Sequence, residues 1–477
     1  MRLFLALALV ASPLTAQEPL EQAVTAILDE AGPGTRWGVV VADDQGREVL
    51  AIDPEGRFIP ASNTKVFTTA AAMRALAMGG LTEPAGARVR LEPDGQGHDV
   101  ALEGHGDAHL SSAAGCITDC LSTLADAVAA RTRRVGDVIG DDTKFPDQRW
   151  SPGMSWNNIA TRSGTGISAL TVDANEIAST VTPGTVGAAP AVTLPAYYTV
   201  RNLALTVEGD GAEIGYDRAP GGRELVVTGT IGVSAKPVAL TLGVDDPAHY
   251  AAWTLAEMLR ARGVAVTGEV AARHRTLLPA DDPKARGTAP VMRPARLPAL
   301  AELTAPPPGP TLAKINKDSQ NLYAELVLRR LGCLRGNCSI ADGQAEISAM
   351  LAEAGVGPRE VSLSDGSGMS TYNRVAPRGM VRLLGWIARQ PWGGDFRAML
   401  PVGGVDGTLS RRFAGTPLAG KVLAKTGSLN ATNALAGYLT AASGRTLTFA
   451  IYANDVPEDV RATAIMDRAL VAIAAAN

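Results

Sequence analysis

The first eighty residues alternate between helical and strand patterns of apolar positions. Apolar residues recur at helical spacing over residues 18–31, where a Gly-Pro-Gly run ends the predicted helix. Two β-rich stretches at residues 37–41 and 47–52 are separated by a turn sequence, which predicts a hairpin. Small and apolar residues then predict a helix over residues 61–78. This order of elements indicates an α/β sandwich core.

The pattern changes after residue 80. Residues 81–290 are rich in Gly, Pro, Val and Thr and predict an insertion that is mostly β. The strand-like stretches cover residues 89–91, 100–102, 203–207, 225–227 and 238–242, and the helical ones 116–131 and 250–262. An Ala- and Pro-rich linker near residue 185 indicates two modules within the insertion. A Pro-rich stretch over residues 290–310 marks its end.

Longer elements return from residue 312. Helices are predicted over residues 319–331, 340–354, 375–389 and 459–475, and strands over 421–426, 433–439 and 446–453. The fold class is therefore α/β (α+β), with one core divided by the insertion. The predicted core spans residues 17–80 and 291–477, an inserted module spans 81–185 and 265–290, and a nested module spans 186–264.

Composition and the N-terminus indicate an exported protein. The 477 residues carry a net charge of −4, so no basic excess supports nucleic-acid binding. Arg2, a short apolar run and a small-residue cleavage site after Ala16 predict a signal peptide over residues 1–16, although a buried N-terminal helix would also fit. Because no other stretch is long and apolar enough to span a bilayer, we expect a periplasmic protein without a transmembrane anchor.

The four cysteines form two local pairs. Cys116 lies close to Cys120, and Cys333 lies close to Cys338. In an exported chain this arrangement predicts two small disulfide loops. A four-cysteine zinc site is the alternative, but neither pair has the usual Cys-x-x-Cys spacing.

Ser62 and Lys65 form a Ser-x-x-Lys pair at the start of the predicted second helix. Residues three apart on a helix share a face, so the hydroxyl and the ammonium can meet. A lysine whose pKa is lowered by burial can take the serine proton and create a nucleophile. Seen alone, the pair is weak evidence and fits better an N-cap serine followed by a solvated lysine.

Two later elements change this interpretation. A Ser-x-Asn element, Ser319 and Asn321, lies at a predicted helix start, and a Lys-Thr-Gly element begins at Lys425 on a predicted edge strand. Each alone also fits a helix cap or a turn. The three elements occur in the order used by penicillin-binding proteins and serine β-lactamases.

Further segments extend the match over most of the mature chain. They cover residues 316–325, 365–370, 400–409, 425–429 and 435–438, and within the insertion residues 140–145 and 168–170. Together they resemble the class C low-molecular-mass penicillin-binding proteins, the D-alanyl-D-alanine carboxypeptidase/endopeptidase family. That family also places a long insertion of two modules between the first two motifs. The resemblance implies a penicillin-binding/β-lactamase-like transpeptidase core.

The resemblance also implies an activity and roles for the motif residues. The expected substrates are peptidoglycan stem peptides, with β-lactams as acylating inhibitors and with no cofactor or metal. Ser62 would be acylated, Lys65 would accept its proton, and Ser319 would relay a proton to the leaving amine. Asn321 would hold the substrate amide, and Lys425 would add positive charge.

The remaining expected contacts bind the substrate. Thr426 and Gly427 lie in the third motif, where the threonine would bind the terminal carboxylate. The backbone N–H groups of Ser62 and Ser428 would form the oxyanion hole. Asp141 and Phe145 match the family's pocket for the stem side chain. Thr371 stands where the family commonly has a basic residue, so this chain departs from the pattern in that pocket.

Other classes of function fit the sequence less well. A Ser-His-Asp hydrolase is disfavoured because all five histidines lie in the insertion and no Gly-x-Ser-x-Gly elbow surrounds Ser62. A metal site at His105 and His109 is disfavoured by the glycines around them. A β-lactamase or esterase with the same dyad, and a non-catalytic wall-binding protein, remain alternatives.

Overall fold

The computed structural model describes residues 14–82, 86–93, 95, 97–291 and 297–477. Residues 1–13 of the predicted signal peptide lie outside the described residues. Residues 14–16, which include the predicted cleavage site, begin the N-terminal helix of the structure.

The predicted helices and strands are present with several shifted ends, and further elements lie between them. The helices are α1 (Leu14–Leu28), α2 (Thr64–Ala77), α3 (Leu121–Arg131), α4 (Pro247–Ala261), α5 (Pro283–Arg286), α6 (Pro308–Lys317), α7 (Asn321–Gly332), α8 (Ile340–Glu353), α9 (Pro377–Ala388), α10 (Gly393–Ala398) and α11 (Ala462–Ala476). The strands are β1 (Arg36–Ala42), β2 (Glu48–Ile52), β3 (Arg88–Pro93), β4 (His98–Glu103), β5 (Arg134–Val135), β6 (Val138–Pro146), β7 (Glu176–Thr182), β8 (Ala191–Thr193), β9 (Thr199–Asn202), β10 (Leu205–Val207), β11 (Ala212–Asp217), β12 (Glu224–Gly232), β13 (Val238–Gly243), β14 (Ala265–Val266), β15 (Val270–Arg275), β16 (Ala301–Glu302), β17 (Val361–Ser362), β18 (Arg374–Val375), β19 (Val422–Leu429), β20 (Thr432–Thr440) and β21 (Thr446–Asn454).

Both ends of the chain build one antiparallel sheet with the order β19-β20-β21-β1-β2. Successive side chains of a strand point to opposite faces, and this alternation divides the core. Val39 and Val41 pack in a cluster with α1 and α11, whereas Val40 packs in a second cluster with α2, α7 and α9. The sheet thus lies between two helical layers, as expected for a sandwich built from the N- and C-terminal parts of the chain.

The inserted region, together with β16 from the segment that follows it, forms four further sheets, one of which is the two-stranded pair β5 and β14. Strands β15, β6, β4, β3 and β16 form a five-stranded sheet, on which α4 packs against β6 and β15. Strand β7 pairs with both β8 and β13, and β12 pairs with β9, β10 and β11. The predicted boundary near residue 185 falls in the turn between the paired strands β7 and β8. The module limits given above stay predictions.

Two disulfides close short loops, so this prediction is confirmed. Cys116 is bonded to Cys120, and Cys333 is bonded to Cys338 in the turn between α7 and α8. The helix predicted over residues 116–131 begins only at Leu121, because the first disulfide loop occupies the preceding residues. Within the described part of the chain, every helix is too short or too polar to cross a bilayer.

Candidate active site

Ser62 lies in a single 3₁₀ turn, Ala61–Asn63, that leads directly into α2. The turn is held against β19, since the Asn63 side-chain amide donates to the Lys425 carbonyl over 2.8 Å. Ala61 has a positive φ of 46°. This conformation is unfavourable for a residue with a Cβ and is maintained by surrounding contacts.

Lys65 is fully buried in the first turn of α2. Its Nζ lies 2.9 Å from Ser62 Oγ, 2.7 Å from Asn321 Oδ1 and 2.5 Å from the Ser367 carbonyl oxygen. Burial lowers the pKa of Lys65 to about 7, although the carboxylates of Asp365 and Glu325 act in the opposite direction. A substantial neutral fraction at physiological pH makes this amine a suitable base for the serine proton.

The second motif lies at the turn between α6 and α7. The helix predicted from Ser319 begins two residues later at Asn321, because Ser319 has a φ of 59° that an α-helix cannot contain. This conformation places Ser319 Oγ 2.9 Å from Lys425 Nζ, which donates to it. Asn321 Oδ1 accepts from Lys65, so the second motif contacts both lysines.

The third motif lies on β19, which is an edge strand of the core sheet. Burial, together with the positive charge of Lys65, lowers the pKa of Lys425 well below its ordinary value. Thr426 Oγ1 donates to the Thr408 hydroxyl over 2.8 Å, and Ser428 is exposed. A Cβ on Gly427 would lie 2.5 Å from the Pro60 carbonyl oxygen. Glycine therefore allows β19 to approach the nucleophile turn.

The loop over residues 365–370 packs against Lys65. Its Asp365 carboxylate accepts from the backbone N–H groups of Gly368 and Ser370 at 2.9 and 2.7 Å. A Cβ on Gly368 would lie 1.9 Å from the Ala61 carbonyl oxygen, so the loop packs directly against the nucleophile turn. Desolvation and the nearby Glu325 raise the pKa of Asp365 to about 6. Through these contacts the loop forms the floor of the cleft next to Ser62.

The inserted region supplies one wall of the cleft. The Ser163 carbonyl accepts from Asn321 Nδ2 over 3.1 Å, and the Pro152 carbonyl accepts from the Ser370 hydroxyl over 2.6 Å. Residues from both regions line this space: Arg149, Trp150, Ser151, Met154, Ser163, Thr165, Ile167, Asn321, Leu322, Glu325, Asp365, Ser367 and Met369. Sequence reasoning missed the Ser163 contact, because a backbone carbonyl acts here and no side-chain pattern records it.

The structure brings together five predicted residues: Ser62, Lys65, Ser319, Asn321 and Lys425. The residues of the predicted pocket for the stem side chain contact other groups of the protein. Asp141 is buried and accepts from Arg273 Nη1 at 2.9 Å and from the Thr143 hydroxyl at 2.7 Å. Phe145 is buried in the apolar core. Thr371 is exposed, and its hydroxyl donates to the Gly153 carbonyl over 3.0 Å.

The five histidines are not part of this cluster. His274 contacts the Asp142 carboxylate within the insertion, and His109 contacts the Thr311 hydroxyl and the ring of Tyr323. The described residues also contain no group of three His, Cys, Asp or Glu side chains that could hold a metal ion.

Comparison with known protein families identifies the family of this chain. Residues 20–476 match the model of the D-Ala-D-Ala carboxypeptidase 3 (S13) family. The chain belongs to this family. The predicted family and the predicted serine-type D-Ala-D-Ala carboxypeptidase activity are thereby confirmed.

Individual relatives match the sequence over most of the chain. A D-alanyl-D-alanine carboxypeptidase of Actinomadura sp. (strain R39) is 33% identical over 458 residues, covering 91% of this chain and 81% of the relative. The carboxypeptidase DacB of Haemophilus influenzae is 26% identical over 441 residues, covering 88% and 86%. The crystal structure of penicillin-binding protein 4 from H. influenzae superimposes with a TM-score of 0.77 at 23% identity, covering 94% and 98%. This likeness confirms the predicted penicillin-binding/β-lactamase-like fold.

Proposed function

We propose that this S13 carboxypeptidase is an exported periplasmic enzyme that hydrolyses peptidoglycan stem peptides as both a D,D-carboxypeptidase and a D,D-endopeptidase. Its reaction proceeds through an acyl-enzyme on Ser62, and β-lactams acylate the same atom. The observation that carries the proposal is the 2.9 Å contact between Ser62 Oγ and the fully buried Lys65 Nζ. A base with a pKa near 7 within hydrogen-bond distance of a hydroxyl can remove its proton at neutral pH.

Acylation begins as the Ser62 proton moves to Lys65 Nζ. Ser62 Oγ then bonds to the carbonyl carbon between two D-alanines, and the backbone N–H groups of Ser62 and Ser428 stabilise the oxyanion. As the C–N bond breaks, the proton held by Lys65 passes through Ser319 to the leaving D-alanine amine, and Lys65 returns to its neutral form. The contacts of Ser319 with Lys425, and of Asn321 with Lys65, support this path. Water then attacks the ester and releases the acyl group.

The terminal carboxylate of the substrate is bound by Lys425 and Thr426. A carboxylate stabilises the charged form of a nearby buried ammonium, so its arrival raises the lowered pKa of Lys425. Asp141 and Phe145 remain the proposed contacts of the stem side chain. Since Arg273 already donates to Asp141, an incoming ammonium would share that carboxylate with Arg273.

Mass spectrometry after incubation with benzylpenicillin tests the mechanism. We expect a single covalent adduct on a peptide containing Ser62, and no adduct on the Ser62→Ala variant. Labelling at another residue, or the absence of labelling, would contradict the proposal. Rapid turnover of penicillin would instead favour a β-lactamase, and hydrolysis of simple esters alone would favour an esterase.

Muropeptides separate the two proposed peptidase activities. Uncross-linked pentapeptides report carboxypeptidase activity through release of D-alanine, and cross-linked dimers report endopeptidase activity through conversion to monomers. We expect both products from the wild-type protein and neither from Ser62→Ala. Binding of intact peptidoglycan without cleavage would favour the non-catalytic wall-binding alternative.

A further inference from the structure

Glu325 is a buried carboxylate on α7 that borders the site without contacting Ser62. Its Oε1 accepts two consecutive backbone N–H groups, from Gly366 over 2.9 Å and from Ser367 over 2.8 Å. The carbonyl of Ser367 is in turn an acceptor for Lys65 Nζ at 2.5 Å. The Glu325 carboxylate therefore holds the backbone at Ser367, whose carbonyl orients the Lys65 amine.

We propose that Glu325 is a positioning residue for the acylation step: its carboxylate holds the loop at Gly366 and Ser367 so that the Ser367 carbonyl orients the Lys65 amine towards Ser62. The proposal rests on the function proposed above, because it concerns the same base and nucleophile. Arg329, one helical turn along α7, forms an ion pair with the other carboxylate oxygen and thereby fixes the orientation of Glu325.

The surrounding bonds leave the loop little freedom to adopt another position. Thr68 Oγ1 on α2 donates to the Gly366 carbonyl over 2.7 Å, so the same peptide is bound from both the α2 side and the α7 side. Further along the loop, the Asp365 carboxylate accepts from the N–H groups of Gly368 and Ser370. Shortening Glu325 would release the attachment on the α7 side and would shift the Ser367 carbonyl. A glutamine oxygen could accept the same two N–H groups only with its NH2 group turned towards the Arg329 guanidinium, where two donors would face each other.

Glu325 also contributes charge to the base. Its carboxylate and that of Asp365 oppose the lowering of the Lys65 pKa by burial, whereas Arg329 is a positive group in the same cluster and Lys425 is a second buried lysine whose own pKa is lowered. Neutralising Glu325 removes one of the two anions and leaves Arg329 unpaired. Each of these changes favours the neutral form of Lys65, so its pKa falls further.

The test compares Glu325→Gln, Glu325→Asp and a matched control, Glu346→Gln. Glu346 is equally buried, lies on the neighbouring helix α8 and pairs with the exposed Arg335. The measurement is the acylation rate with a fluorescent penicillin between pH 5 and 9, with thermal unfolding as a check of folding. In Glu325→Gln we expect a rate loss of about tenfold to a hundredfold. The acid limb should also move down by roughly one pH unit.

The Asp variant separates reach from charge. Glu325→Asp keeps the charge but is one methylene shorter, so we expect a slower reaction with the acid limb in its wild-type position. The proposal is overturned if Glu325→Gln behaves like Glu346→Gln, or if its rate falls equally at every pH. Should Glu325→Gln fail to fold, an unchanged rate in Glu325→Asp would also overturn it. Failure of the proposed function itself would appear differently, as wild-type protein that is not labelled on Ser62.

Discussion

Lys425 Nζ donates to Ser319 Oγ over 2.9 Å, although Ser319 must adopt a φ of 59° to accept this bond. The contact joins the second and third motifs across 106 positions of the chain. It also leaves Lys425 buried near a second buried lysine, which lowers its pKa. Such an arrangement costs stability in the free protein, and an anionic substrate group would relieve that cost.

Replacing Lys425 by Met should reduce selectivity for a free C-terminal carboxylate. A hydrogen bond to a charged group contributes about 1.5–3 kcal/mol, which corresponds to about a 10- to 150-fold loss of kcat/KM for a D-Ala-D-Ala peptide. A peptide with a C-terminal amide should lose much less. The control is Lys421→Met, because Lys421 is an exposed lysine just before β19. Equal losses for the acid and the amide peptides would show that Lys425 does not bind the carboxylate.

The acylation rate of the wild-type protein should rise with pH through about 7. Lys65 must be neutral to accept the Ser62 proton, and burial lowers its pKa to about 7. The rate should therefore be small at pH 5 and should level off above pH 8. Stopped-flow labelling with a fluorescent penicillin measures it. A rate that is independent of pH over this range would exclude Lys65 as the titrating base.

Asn321→Asp should move the same acid limb to higher pH. The new carboxylate would take the place of Oδ1, which lies 2.7 Å from Lys65 Nζ, and an adjacent anion raises the pKa of an ammonium. The variant also loses the donation from Nδ2 to the Ser163 carbonyl. Asn321→Ala is the control, because it loses both bonds without adding charge. If both variants have the same limb as the wild type, the contact with Lys65 is not maintained during the reaction.

Sequence reasoning located the helix that follows Ser62 and the strand that carries Lys425 to within a few residues, because each is encoded in one short stretch of the chain. Ser62 and Lys65 are three positions apart, and their contact follows from helical geometry. The strand that carries Lys425 was predicted within a few residues of its observed ends. Local patterns of this kind do not depend on the rest of the fold.

The features that were missed depend on contacts between distant segments. The start of α7 was predicted at Ser319, because nothing in the local sequence indicates that Ser319 has a positive φ. In the structure this conformation occurs together with the contact between Ser319 and Lys425. Helix α6 was not predicted, because it begins within the Pro-rich stretch. Pro308 nevertheless suits the first turn of a helix. The bonds of Glu325 to the loop link positions about forty residues apart, and no spacing rule predicts them.

Replacing Lys65 by Met should change how stability depends on pH. The folded protein binds the Lys65 proton only below about pH 7, whereas the unfolded chain binds it up to about 10.5. Between these values the wild-type protein gains stability as pH rises, by about 1.4 kcal/mol per pH unit. Lys65→Met lacks this term, so its stability relative to the wild type should fall over the same window.

Urea unfolding at pH 7.5 and 9.5 measures the two free energies of unfolding. Titrating groups that do not interact with Lys65 behave alike in both proteins, and taking the difference cancels their contributions. A stability difference that stays constant between the two pH values would mean that Lys65 has an ordinary pKa in the folded state.

Gly368→Ala should disable the nucleophile by displacing its turn. Gly368 has a φ of 89°, and an added Cβ would lie 1.9 Å from the Ala61 carbonyl oxygen, next to Ser62. Gly415→Ala is the matched control, because Gly415 has a φ of 73° but no atom within 4 Å of the added Cβ. Both variants carry the backbone cost of a left-handed alanine, roughly 1–2 kcal/mol.

Only Gly368→Ala should lose acylation as well, by about a hundredfold, because a displacement of about 1 Å disrupts attack geometry. Penicillin labelling and thermal unfolding of the two variants separate these effects. If the variants lost stability equally and both kept the wild-type labelling rate, the loop would not position Ser62. A loss of labelling in Gly415→Ala would instead show that reduced stability alone accounts for the defect.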